Sequence, residues 1–200
     1  VENGCSLCLD TEQKNQLKPK LSFRIHDAAF RGHKTALQLL LDMGVDINEK
    51  NSSGTTALLE GVYYNHLSCV KILIERGADA TIVTKSRNSV LHRAAWRSSD
   101  SEMAKFLLNV VEIRKLVDMK DAFGATPLHY CSLSDSQTPN VRLENAKMLL
   151  QVCASLTIGV NYGGTPYEHA KYRERKELAK YLWSQLSPEQ QAQEIPLSRD

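Results

Sequence analysis

Three sets of residues in this chain of 200 have side chains able to do chemistry. Cys5 and Cys8 stand in a C-x-x-C spacing, which is half of a structural zinc site. Such a site takes four ligands, and no second pair follows; His26 and His33 have six residues between them, outside finger spacing. No metal is expected here, the alternative being the end of a zinc module lying upstream. The second set is His26, His92 and His129. A histidine cluster invites an acid–base reading. No Ser or Cys nucleophile signature, phosphate-cradling glycine loop or metal-ligand helix accompanies them. No catalytic residue, cofactor or small-molecule substrate is therefore expected, and the chain reads as no enzyme. The third set is aromatic and cationic: Phe30, Tyr63, Trp96 and Tyr172, followed directly by Arg31, Tyr64, Arg97 and Arg173. Their chemistry is binding, because such side chains bury much area at low rotamer cost.

Composition narrows the class. The chain is 42% hydrophobic and 24% charged, with a net charge of +2. That suits a water-soluble fold and gives no reason to expect a polyanionic partner. No apolar run reaches the roughly 18 residues that span a bilayer, so membrane insertion is not expected. The N-terminal residues lack the basic-then-apolar layout of a signal peptide. Five unevenly spaced cysteines make a poor disulfide framework. A cytoplasmic or nuclear location is the expectation.

The elements that position these residues come from an internal repeat. Segment 24–50, RIHDAAFRGHKTALQLLLDMGVDINEK, aligns with 58–83, LLEGVYYNHLSCVKILIERGADATIV. His26 falls over Leu59, Gly44 over Gly77 and Asp46 over Asp79, each 33 residues apart. His92, His129 and Glu168 continue the register after 33, 37 and 39 residues. The longer periods come from one extra residue near Ser99, three in NVVEIR and six around SLSDSQTPN. Insertions confined to loops keep the helix faces in phase. Each unit reads as two short helices: a small-residue face such as Ile25, Ala28 and Ala29, then an apolar one such as Leu37, Leu39, Leu40 and Leu41. Gly44 and Gly77 stop the second helix, and Pro127 and Pro166 suit a first helical turn. The small residues Ala28, Gly61, Ala94, Cys131 and Ala170 share one register and allow close packing.

The period, Thr126–Cys131 (TPLHYC), Gly32-His33 and Gly77-Ala78-Asp79 resemble ankyrin repeats. The resemblance covers residues 21–186 as about five repeats, flanked by an N-terminal tail or cap (1–20) and a solvated C-terminal tail (187–200). It implies an all-α repeat solenoid of helix–turn–helix units joined by hairpin-like loops, serving as a binding scaffold. It also implies that the recurring histidine makes hydrogen bonds within and between neighbouring units. The first unit has Phe23-Arg24 in place of Thr-Pro and the fifth has Glu168 in place of histidine, as terminal caps would.

In such a fold the third set ends the inner helices and faces a concave groove. Phe30, Arg31, Tyr63, Tyr64, Arg93, Trp96, Arg97, Tyr172 and Arg173 are therefore the candidate partner-binding residues. Asp27 and Glu60, then Arg93, make the groove acidic in its first two units and basic after them. The expected partner is a protein or peptide segment, acidic at one end, in an adaptor, scaffold or targeting role. Nucleic-acid association is the alternative, weighed against 23 acidic residues. A targeting domain of a larger enzyme, its catalytic part outside this chain, is a further one.

Overall fold

The computed structural model describes residues 24–97, 99–134, 138–161 and 163–194. The expectations for residues 1–20, with Cys5 and Cys8, for residues 135–137 of the SLSDSQTPN insertion and for the last six residues lie outside them. Helix α1 (24–31) and α2 (Lys34–Asp42) form the first unit. They are followed by α3 (Ala57–Tyr63) and α4 (Leu67–Glu75), then α5 (Val90–Arg97) and α6 (Glu102–Leu108), with a single turn α7 (Val111–Arg114) appended. The fourth unit is α8 (Pro127–Leu133) and α9 (Pro139–Gln151), the fifth α10 (Pro166–Tyr172) and α11 (Lys176–Gln185). Helices α3, α5, α8 and α10 pack side by side as an inner layer, and the second helices of the units back them as an outer layer.

Local chemistry sets the helix ends. Thr56, Thr138 and Thr165 accept hydrogen bonds from Leu59, Val141 and Glu168 N–H groups at the starts of α3, α9 and α10. Gly44 (φ 79°) and Gly77 (φ 85°) follow the ends of α2 and α4 in the left-handed region. Cys153 (φ 67°) takes that position after α9.

No unit buries its own apolar face; the next one does. Leu40, Leu73, Leu107, Leu149 and Leu182 form a buried column along the outer layer. Ala28, Gly61, Ala94, Cys131 and Ala170 form the inner one. A Cβ on Gly61 would stand 3.1 Å from Val70 Cγ2, so glycine permits that close approach. A third column runs Cys69, Met103, Asn145 and Leu178, all buried. Asn145 is the misfit, because neither its side-chain oxygen nor its nitrogen has a hydrogen-bond partner.

The turns between units are stitched by backbone bonds from Lys85 N–H to Ser53, Ala122 N–H to Ser86 and Asn161 N–H to Phe123 carbonyls. The histidines lock the same junctions. His92 Nδ1 accepts from Ser89 N–H (3.2 Å), and its Nε2 donates across the unit boundary to the Ala125 carbonyl (3.0 Å). His129 repeats the pattern with Thr126 N–H (3.1 Å) and the Gly164 carbonyl (3.3 Å). Nδ1 must therefore be unprotonated. Burial, which disfavours the charged ring, pushes His129 down from 6.5 to about 4 and lowers His92 as well.

One expectation is corrected. The C-terminal segment is not all solvated tail: α12 (Pro188–Glu194) forms, and Gln191 Nε2 donates to the Trp183 carbonyl at 2.9 Å. In the first unit Leu39 is 59% and Met43 47% exposed.

Replacing Asn145 with the similarly shaped leucine removes two buried orphan polar atoms. It is expected to raise unfolding stability by about 1–2 kcal/mol; a fall in the urea midpoint would show that the amide is engaged. Acid tests the histidines. The folded state binds fewer protons than the unfolded one between about pH 4 and 6.5, so stability is complete above that window and lost as pH falls through it. His129 alone accounts for about 3 kcal/mol. Urea titrations across the window should show this loss, and His129→Gln should shrink it.

Candidate functional site

The inner-helix ends hold a connected row of rings. Phe30 at the end of α1 meets Tyr64 edge-on at 4.3 Å between ring centroids. Tyr64 meets Tyr63 at 4.9 Å, Tyr63 meets Trp96 at 5.9 Å and Trp96 meets Tyr130 at 5.8 Å. Edge-to-face geometry at these spacings is attractive, because each ring edge points at a neighbour's electron-rich face. The repeat produces the row: equivalent positions of successive units are neighbours in the inner layer.

The structure brings Phe30, Tyr63, Tyr64, Arg93, Trp96 and Arg97 together and leaves Tyr172 apart. Phe30 and Tyr64 are about two-fifths exposed, Tyr63 and Trp96 half-buried. Tyr172 is 86% exposed, and no ring contact joins it to the row. Arg31 is exposed and bound to Asp27 at 2.8 Å. Arg173 lies exposed at the C-cap of α10.

Arg93 and Arg97 both stack on Tyr63, with guanidinium carbons 5.0 and 4.9 Å from the ring centroid. Their roles differ. Arg93 donates to the Leu59 carbonyl (3.3 Å) and Thr55 Oγ1 (3.1 Å), and stands 3.9 Å from Glu60. Burial lowers its affinity for the proton, with the Glu60 carboxylate opposing that. Arg93 is thus a bolt between the second and third units rather than an open groove cation. The expected step from acidic to basic groove is correspondingly blunted, since Asp27 and Glu60 are matched by Arg31 and Arg93. Arg97 differs: its guanidinium carbon lies over the Tyr63 ring, and among the described residues no carboxylate pairs with it. The result is a half-buried arginine whose guanidinium stacks on an aromatic face.

The sequence register places Tyr130 in the groove but not among the candidate binding residues. Its hydroxyl donates to Asp121 Oδ2 (2.8 Å) and lies 3.0 Å from the Asn88 side-chain amide, and burial raises its proton affinity. Its ring carries the row into the fourth unit, where Leu133 holds the register position. Tyr130 sits in register with Arg93, one position after the histidine, and that was the available signal. Cys131 and Cys69 are buried, and desolvation raises both thiols, Cys131 up to about 12, so neither offers a thiolate nucleophile at neutral pH. Among the described residues no group of three or more His, Cys, Asp or Glu could hold a metal ion, and no helix is long and apolar enough to cross a membrane.

Stacked two-helix units with a shared histidine lock define a class, and comparison with known proteins names it. Residues 25–116 match the family model for ankyrin repeats with three copies. These residues are thus ankyrin repeats, and the described residues form an all-α repeat solenoid. Ankyrin repeat domain-containing protein SAT10 of Stachybotrys chartarum is 29% identical over 177 residues, 77% of this chain and 9% of that protein. Inversin of Gallus gallus is 30% identical over 110 residues, 54% and 10% of the two lengths. Ankyrin repeat domain-containing protein 29 of Danio rerio is 46% identical over 56 residues, 28% and 19%. The chain spans between 9% and 33% of the length of the first curated relatives it matches.

The division between the two arginines is measurable. Arg93→Ala should cost about 1–2 kcal/mol of stability, by leaving Glu60 half-buried without its partner. Arg97→Ala should change stability by less than about 0.5 kcal/mol. Equal losses in urea denaturation would contradict the assignment.

Proposed function

We propose that the chain is a non-catalytic protein-binding module that takes up a protein or peptide segment along the ends of its inner helices. Ankyrin repeats are in general protein-interaction modules. The single observation that carries the finer reading is Arg97, stacked on Tyr63 beside the part-exposed rings of Tyr64 and Trp96 and, among the described residues, paired with no carboxylate. A guanidinium held in a ring-lined surface has little rotamer freedom left to lose, which favours a partner carboxylate there. Phe30 and Tyr64 supply apolar contact on one side, and Tyr172 with Arg173 offers a second, separate anchor toward the C-terminal end. A segment with an acidic residue opposite Arg97 satisfies this arrangement.

The relatives are several times longer than this chain, which supports a recognition or targeting role within a larger protein. A cytoplasmic or nuclear setting is part of the proposal.

Photoreactive benzoylphenylalanine in place of Tyr64 or Tyr172 should cross-link a partner in cells. The same probe in place of the outer-helix residues Lys71 or Gln151 should not. Against the captured partner, Arg97→Glu should weaken binding at least tenfold. Capture from the outer helices alone, or an Arg97→Glu variant that binds as well as the wild type, would overturn the proposal. An affinity falling with salt along a steep log–log slope would instead point to phosphate contacts with nucleic acid.

A further inference from the structure

The turns that join the units form a second surface, and its charge is one-sided. Residues 51–54, 84–87 and 121–124 make three successive tips. Backbone bonds from Lys85 N–H to the Ser53 carbonyl and from Ala122 N–H to the Ser86 carbonyl tie each tip to the next, so together they form a continuous ledge. Lys85, Arg87 and, just before the third tip, Lys120 are exposed on it, and Phe123 beside them is 61% exposed. Among the described residues no carboxylate forms an ion pair with any of these three cations. The aspartates of the same junctions are hydrogen-bonded within the protein. Asp79 accepts from Thr81 and Asp118 from Ser155 N–H. The buried Asp121 accepts from the Phe123 and Ala125 N–H groups and from the Tyr130 hydroxyl, which fixes the third tip beneath its ring.

Arg87 holds a backbone conformation that disfavours its own residue type. Its φ is 61°, in the left-handed region, where the equivalent residues of the other tips are Gly54 (φ 73°), Gly124 (φ 84°) and Gly163 (φ 89°). Glycine takes that region freely, whereas a side chain there crowds the neighbouring carbonyl. An arginine in the glycine place sacrifices stability for a cation standing on the ledge. The ledge has one ring, whereas a nucleic-acid strand stacks successive bases on a series of rings. One exposed ring flanked by cations suits an apolar side chain of a protein, with carboxylates to either side of it.

We infer that this ledge docks an acidic protein segment, with an apolar residue against Phe123 and carboxylates facing Lys85, Arg87 and Lys120. Neither Arg97 nor the ring row takes part, so the inference stands or falls independently of the partner-binding proposal.

The probe is a short fluorescein-labelled peptide with glutamates on both sides of a leucine, titrated by fluorescence anisotropy against the full chain. Lys85→Glu/Lys120→Glu should weaken its binding about tenfold or more, and Arg97→Glu less than about twofold. Phe123→Ala should weaken it when leucine is at the centre of the peptide and much less when serine is. Arg87→Gly should weaken it without lowering the urea midpoint, and that variant decides the matter should the double reversal fail to fold. No binding to the wild type, or equal binding by the wild type and the double reversal, would overturn the inference. Loss with Arg97→Glu alone would move the peptide to the inner-helix ends, which overturns this docking and leaves the partner-binding proposal intact. A thymidine oligonucleotide that binds the ledge more tightly than the peptide at equal salt would make the occupant a nucleic acid and overturn it as well.

Discussion

Stacking is the constraint on which the rest of this molecule depends. A pair of helices of seven to thirteen residues has an apolar face and no interior, so each unit is stable only when a neighbour covers it. The leucine column from Leu40 to Leu182 does that covering in the outer layer, and the small-residue column from Ala28 to Ala170 sets the distance in the inner one. Each boundary buries about the same kind of surface, so an open end exposes what every boundary hides. In the first described unit, Leu39 and Met43 are exposed.

Hydrogen bonding makes the stacking specific. Hydrophobic columns tolerate sliding, but a neutral imidazole that accepts from its own helix cap and donates to the next unit's carbonyl tolerates only one register. The same neutrality makes the array acid-sensitive, because a proton on Nδ1 would face an N–H group. Glu168 replaces the histidine in the fifth unit, and its Oε2 accepts from Thr165 N–H. The inward half of the device is thus kept in the fifth unit.

The row of rings is a by-product of that geometry. Once helices of equal length lie side by side, residues at one register become a row, and rings in that row touch edge to face. Rigid contacts between the rings make the surface proposed for binding a preformed one. Two arginines share Tyr63, and the difference between them is electrostatic. Glu60 partners Arg93 and ties it to the boundary, whereas among the described residues no carboxylate pairs with Arg97.

The 33-residue recurrence of glycine, aspartate and histidine was enough to determine the repeat class, the helix pairs and the positions of the inner-helix rings. Those features depend on local spacing, which the chain states directly. Loop insertions did not obscure them, because they leave helix phase intact. What the tertiary structure decided was how each register position is used. Arg93 and Arg97 look alike in sequence, yet one meets Glu60 and Leu59 across a unit boundary and the other does not. Tyr130 was a register residue without a role until Asp121, Asn88 and Trp96 were found around it. Nothing in the sequence marks Asn145, which the packing places in a core column. Burial and pairing are set by residues 30 to 40 positions away in the chain. A single sequence fixes the list of candidates for such contacts, whereas the packing of one unit on the next chooses among them.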